Sequence, residues 1–142
     1  MWEYQNSVVT TVSPRSIWNL YLNVAEWTKW DKSISDAKLD GSFENGTTGY
    51  LTPIGQEPLY FSLKEVKENK YFSNVTYIKQ AGIQINFYHL LETEENKTKV
   101  THGVIISGQN AEILGKQIGP AITMGIPEAM SNLVSLAEKK SL

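Results

Sequence analysis

Hydrophobic and polar positions change period along this chain. From about Tyr4 to Val12 they alternate, the pattern of a half-buried strand. From Pro14 onward the apolar positions Ile17, Leu20, Tyr21 and Val24 recur at helical spacing. Ser13 has the side-chain oxygen an N-cap needs, and Pro14 falls at the first helical position, where its missing N–H costs nothing. Trp18, Trp27 and Trp30 make this short helical excursion unusually aromatic. After Trp30 the alternation returns and runs, punctuated by turns, almost to residue 107.

The turn signals divide that region into hairpins. Asn45-Gly46 predicts a two-residue connection between a strand near Ile34 to Phe43 and one near Thr47 to Pro53. Gly55-Gln56-Glu57-Pro58 marks the next turn. Leu59 to Val66 and Tyr71 to Ile78 are strand-rich runs separated by Lys67-Glu68-Asn69-Lys70. Ala81-Gly82 leads into Ile83 to Glu92, and Glu95-Asn96 leads into Thr98 to Ser107. If the Ala81-Gly82 loop has two residues, one face of the preceding strand points inward; if three, the other does. Tyr71, Val75 and Tyr77 compete with Phe72, Thr76 and Ile78 for the inner face.

The last hairpin carries its own register. With Glu95-Asn96 as the turn, Glu94 faces Lys97, Glu92 faces Lys99 and Leu91 faces Val100, so both charge pairs are of opposite sign. One face then holds Ile83, Ile85, Phe87, His89 and Leu91 opposite Val100, His102, Val104 and Ile106. The other holds Gln84, Asn86, Tyr88 and Glu92 with Thr101 and Ser107. A slip of one residue would oppose apolar to polar on both faces. His89 and His102 are therefore expected to be direct cross-strand neighbours on the apolar inner face.

From Asn110 the pattern is helical, with Ile118, Ile122, Ala129, Leu133 and Leu136 or Ala137 forming a stripe. Pro120, Pro127, Gly115, Gly119 and Gly125 predict a poor first half, a break, and a firm helix from about Pro127 to Lys139. The break reads either as a gate over a concave sheet or as a kink that follows the sheet's curvature. A strand, a short helix, a run of hairpins and a final helix make a wrapped sheet, and its concave face has room for a small molecule.

Composition narrows this further. A chain of 142 residues, 41% hydrophobic and 20% charged, fits one α+β domain over residues 1–142. A net charge of −2 with scattered lysines argues against a nucleic-acid surface, and the single arginine, Arg15, argues against a guanidinium clamp for phosphate. There is no cysteine, hence no disulfide or thiolate chemistry. Met1 to Asn6 lacks a basic start and an apolar run, and no segment approaches the ~18 apolar residues of a membrane span, so a cytoplasmic location is expected.

The order Ser13-Pro14-x-x-Ile17-Trp18-x-Leu20-Tyr21-Leu22-Asn23-x-x-x-Trp27-x-x-Trp30-Asp31 resembles the opening of the START-like (SRPBCC, Bet v 1-like) superfamily, closest to its polyketide cyclase/dehydrase-like branch of small bacterial proteins. Leu39-Asp40-Gly41, Thr98-x-Val100-Thr101-His102 and Leu133-x-x-Leu136 extend the resemblance over essentially the whole chain. It implies a helix-grip fold: a curved antiparallel sheet of six to seven strands around a long C-terminal helix, two short helices after the first strand, and a hydrophobic cavity between sheet and helix. It implies no single activity. Members bind lipids, sterols, polyketides or hormones, and some catalyse cyclisation or dehydration; others assist chaperones or quinone assembly. Asn23 stands where many relatives carry aspartate, so no argument here rests on a carboxylate at that place.

The expected function is binding of a small hydrophobic ligand of lipid, polyketide or other aromatic or isoprenoid type. Its walls are expected from Trp27 at the mouth and Ile83, Ile85, Phe87, Val104, Ile106, Ile122, Met124 and Met130, with His89 and His102 as polar contacts. The alternative is an enzyme of the cyclase or dehydratase type, its only catalytic candidates His89 and His102, one acting as general base. Two imidazoles in a partly dry cavity depress one another's pKa, so at least one is expected to be neutral. The competing reading pairs them with each other, or with a nearby Tyr or Thr, as a satisfied polar patch in the core. A third reading is an interaction module with a filled cavity. Two histidines without a third ligand make no zinc site, and no cofactor is implied. The oligomeric state, monomer or dimer, is left open.

Overall fold

A computed structural model describes residues 1–141. The first strand, β1, spans Trp2–Thr10, two residues ahead of the expected span, and is followed by α1 (Pro14–Leu22) and a 3-10 helix (Val24–Lys29). Six strands follow: β2 (Ile34–Leu39), β3 (Thr48–Pro53), β4 (Leu59–Lys67), β5 (Tyr71–Ile78), β6 (Ile83–Glu94) and β7 (Lys97–Ser107). Two helices, α2 (Ala111–Thr123) and α3 (Ile126–Lys140), close the chain. The seven strands form one antiparallel sheet in the order β1-β7-β6-β5-β4-β3-β2, so the first strand returns to pair with the last. This is the expected α+β helix-grip architecture, with seven strands rather than six.

Local signals account for most of the boundaries. Ser13 caps α1, its side chain accepting from the backbone N–H of Ser16, and Pro14 opens the helix. Ile17, Trp18, Leu20 and Tyr21 are the buried face of α1. Glu95 and Asn96 both adopt positive φ, as a two-residue primed turn requires, and the β6–β7 register is the expected one throughout: Glu94 opposite Lys97, Leu91 opposite Val100, His89 opposite His102.

Two connections differ from expectation. Asn45-Gly46 does not close a two-residue hairpin: pairing of β2 with β3 begins only at Leu39 and Gly49, and the intervening residues form a longer loop. The reason is a competing partner. The Asn45 Oδ1 accepts from the Val66 N–H at 2.6 Å, and the Gly46 N–H donates to the Leu63 carbonyl at 2.8 Å, so the turn is pinned to β4. Phe43 leaves the strand to pack on Trp18 and Phe72. The β5–β6 loop has neither two nor three residues but four, Lys79 to Gly82, a 3-10 turn ending on Gly82 at φ +67°. That length settles the face of β5: Phe72 lies opposite His89 and Thr76 opposite Ile85, so Phe72, Asn74 and Thr76 point inward.

The C-terminal segment breaks at Met124-Gly125, as its glycines and prolines suggest, but α2 is more regular than expected. Gly115 and Gly119 are packing surfaces there, not helix breakers. A Cβ on either would lie about 2.3–2.4 Å from the Trp2 side chain, so only bare glycine lets the β1 indole lie against the helix. Two clusters of buried side chains result. The larger joins α1, α3 and the sheet through Ile17, Trp18, Tyr21, Leu63, Phe72, Val100, Met130 and Leu133. The smaller lies under α2 and holds Ile83, Ile85, Val104, Ile106 and Ala111. Ala137, not Leu136, completes the α3 stripe in the core. Among the described residues, no helix is long and apolar enough to cross a membrane.

Candidate functional site

The β6–β7 register brings His89 and His102 side by side, their ring centroids 4.6 Å apart in an edge-on arrangement. Both are buried, at 9% and 6% exposure. His89 lies flat on Phe72, its ring 4.0 Å away and nearly parallel, and its Nδ1 is 3.3 Å from the Phe72 carbonyl. The Nε2 of His102 is 2.7 Å from the Tyr21 hydroxyl, which α1 delivers from across the core. Burial pushes the His89 pKa down to about 3, and burial together with the neighbouring His89 holds His102 well below the usual imidazole range. Burial also raises the Tyr21 phenol, so all three groups are neutral at physiological pH.

The carbonyl partner fixes the tautomer of His89. A carbonyl only accepts, so His89 carries its proton on Nδ1 and keeps a lone pair on Nε2. The Tyr21 hydroxyl both donates and accepts; where it donates to the Nε2 of His102, the proton of that ring stands on Nδ1. His89 thus offers a free acceptor, and with Tyr21 as the donor its neighbour offers a free N–H.

Both border a cavity of about 270 Å³ between the sheet, the 3-10 helix and the α2–α3 junction. Trp27, Trp30, Ile34, Leu51, Ile85, Phe87, Ile122 and Ile126 supply its apolar wall. Asn74, on β5 opposite Phe87, adds a carboxamide. Ile54 and Gln56, both exposed, mark its outer edge. Asp31 is the one carboxylate on the wall, and no lysine or arginine contributes. Its Oδ1 accepts from the Ser33 N–H and hydroxyl. The indole N–H of Trp30 is buried without a hydrogen-bond partner.

The structure gathers Trp27, Ile85, Phe87, His89, His102 and Ile122 around this space, and not the other expected wall residues. Ile83, Val104 and Ile106 share the inner face but are sealed under α2 in the smaller cluster. Met130 is fully buried in the larger core, its sulfur 3.3 Å from the Asn6 carboxamide nitrogen. Met124 points away at 79% exposure, because it falls at the break between helices. Trp27 is a wall residue only 4% exposed, and its indole N–H donates to the Tyr21 carbonyl. Sequence reasoning did not single out Asn74 or Tyr21, and it favoured the core for Trp30, which is buried and also lines the cavity. The parity of β5 would have found Asn74 had the length of the following loop been known. Among the described residues no group of three or more His, Asp or Glu is placed to hold a metal.

A curled seven-stranded antiparallel sheet gripping a broken C-terminal helix, with a cavity between them, is a helix-grip fold of the Bet v 1-like kind. Solved structures share it over nearly their whole length. Ara h 8.0201 superposes with a TM-score of 0.76 at 11% identity, covering 96% of this chain and 97% of its own. A Thalictrum norcoclaurine synthase point mutant bound to a transition-state analogue gives 0.76 at 13% identity, over 99% and 96%. A hypothetical protein from Helicobacter pylori gives 0.76 at 15%, over 95% and 87%. No family model matches the chain. In sequence, the uncharacterized protein YdcF of Bacillus subtilis is 29% identical over 56 residues, which is 39% of this chain and 58% of that one.

Proposed function

We propose that this chain binds a small, largely apolar molecule in the cavity between the sheet and the α2–α3 junction. The observation that carries the reading is the cavity itself: about 270 Å³ walled by Trp27, Trp30, Phe87 and aliphatic side chains, with two neutral imidazoles at one end. Largely apolar walls with a few placed polar groups are what small-molecule sites present, and the volume falls just below the roughly 300 Å³ at which their usual range begins. The likeness to ligand-holding and catalytic proteins of the same fold is consistent with it but supports only the architecture.

The enzyme alternative, a histidine acting as general base, has weaker support. A useful base has a pKa near the working pH, and His89 at about 3 is far too weak a base for that task. An interaction role with a filled cavity fits less well than binding, because the space is open. Native mass spectrometry of the freshly purified protein tests the proposal. A reproducible added mass that leaves on denaturation supports it. A clean mass that gains nothing on incubation with small aromatic compounds, with Trp27 and Trp30 fluorescence unchanged, overturns it.

A further inference from the structure

The polar end of the cavity is rich in hydrogen-bonding groups yet has no positive charge. His89, fixed as its Nδ1–H tautomer by the Phe72 carbonyl, leaves Nε2 as an acceptor. His102, where Tyr21 donates to its Nε2, leaves Nδ1–H as a donor, with the two rings 4.6 Å apart. Both histidines line the cavity. Asn74, itself 2% exposed and on the same wall, offers one more donor and acceptor. The one acidic side chain on the wall is Asp31, and no lysine or arginine stands beside it there. An anionic head group entering here loses its water and gains no cation in exchange, an unfavourable trade for any buried charge.

From this arrangement, and resting on the binding reading above, we infer that the cavity selects a compact uncharged molecule of one or two rings. Its polar end presents both a hydrogen-bond acceptor and a hydrogen-bond donor, as a carboxamide or a hydroxy-ketone does, and carboxylates such as fatty acids are rejected. The acceptor of the ligand meets the Nδ1–H of His102, and its donor meets the Nε2 of His89. The site therefore reads a neutral pair of complementary groups rather than a charge.

The test is calorimetric titration of the intact protein with four probes of one shape: naphthalene, 2-naphthamide, 2-naphthoate and 2-naphthylmethylamine. The expected order puts 2-naphthamide tightest and naphthalene next, with naphthoate about tenfold or more below the amide because its charge goes unmatched. In His89→Gln the advantage of the amide over naphthalene shrinks. If that variant fails to fold, nitrogen-15 spectra of the histidines in the native protein decide the tautomers: His89 protonated on Nδ1 and His102 on Nδ1 are required. Naphthoate or the amine binding as tightly as the amide overturns the neutral selection while leaving the cavity reading intact. Equal binding of naphthalene and naphthamide, or the opposite tautomer at either ring, overturns the paired donor and acceptor. No binding by any of the four overturns this inference and the proposed function together.

Discussion

Lowering the pH from 8 to 5 is expected to destabilise this protein well above the range in which carboxylates titrate. Unfolded, a histidine takes up a proton below about pH 6.5. Folded, His89 declines it until about pH 3, because burial between Phe72 and the sheet penalises the imidazolium. Between those values the unfolded state binds more protons, so acid favours it; the effect is absent above about pH 7 and grows as pH falls. For His89 alone, the loss is about 2 kcal/mol at pH 5, rising toward about 5 kcal/mol near pH 3. His102 adds a loss of the same sign, its pKa being lowered by the same burial and by its neighbour. Against a typical total of about 5–15 kcal/mol, the combined loss is large. Guanidinium denaturation at half-unit steps from pH 8 to 4.5 measures it. The limiting slope is about 1.4 kcal/mol per pH unit for each histidine, and His89→Gln or His102→Gln should each remove one such contribution. A midpoint that stays constant from pH 7.5 to 5, or a variant slope equal to that of the native protein, would refute the claim that these rings are buried and neutral.

Three further outcomes follow from packing. Trp18→Ala, which removes a side chain 2% exposed that meets Tyr21, Phe43 and Phe72 edge-on, is expected to cost about 3–5 kcal/mol by thermal or chemical denaturation. Gly119→Ala drives a methyl into the Trp2 ring and is expected to cost about 1–3 kcal/mol, with Trp2 emission shifting as the indole is displaced; an unchanged midpoint would deny that contact. Asn45→Ala frees the Val66 N–H and loosens the β2–β3 loop, at about 1 kcal/mol and with faster hydrogen exchange at Val66.

Legibility in the sequence followed the range of the interactions. Ser13-Pro14, the Glu95-Asn96 turn and the charge pairs across β6 and β7 act between near neighbours, so the α1 boundary and the His89–His102 pairing could be read directly. Asn45-Gly46 failed as a hairpin signal because its hydrogen-bonding groups found β4, about twenty residues on. Gly115 and Gly119 read as breakers because nothing nearby in the chain reveals that Trp2 lies against them. The cavity wall was half right for a related reason. Alternation assigns residues to the inner face, but only the position of α2 decides which of them are covered, and it covers Ile83, Val104 and Ile106.

The break at Met124-Gly125 leaves the molecule with two cores of unequal size, and the cavity lies at the seam between them. Ile85 belongs to the small core under α2, Trp27, Trp30 and Ala129 to the large one, and Ile126 packs against both. The small core, with fewer buried side chains to hold it, is expected to open first in local unfolding. An occupant of the cavity touches both sides of that seam and acts as a rivet. Binding would then be written in the amide protons of α2 and the β1 end near Trp2, slowed in exchange far from any atom the occupant contacts.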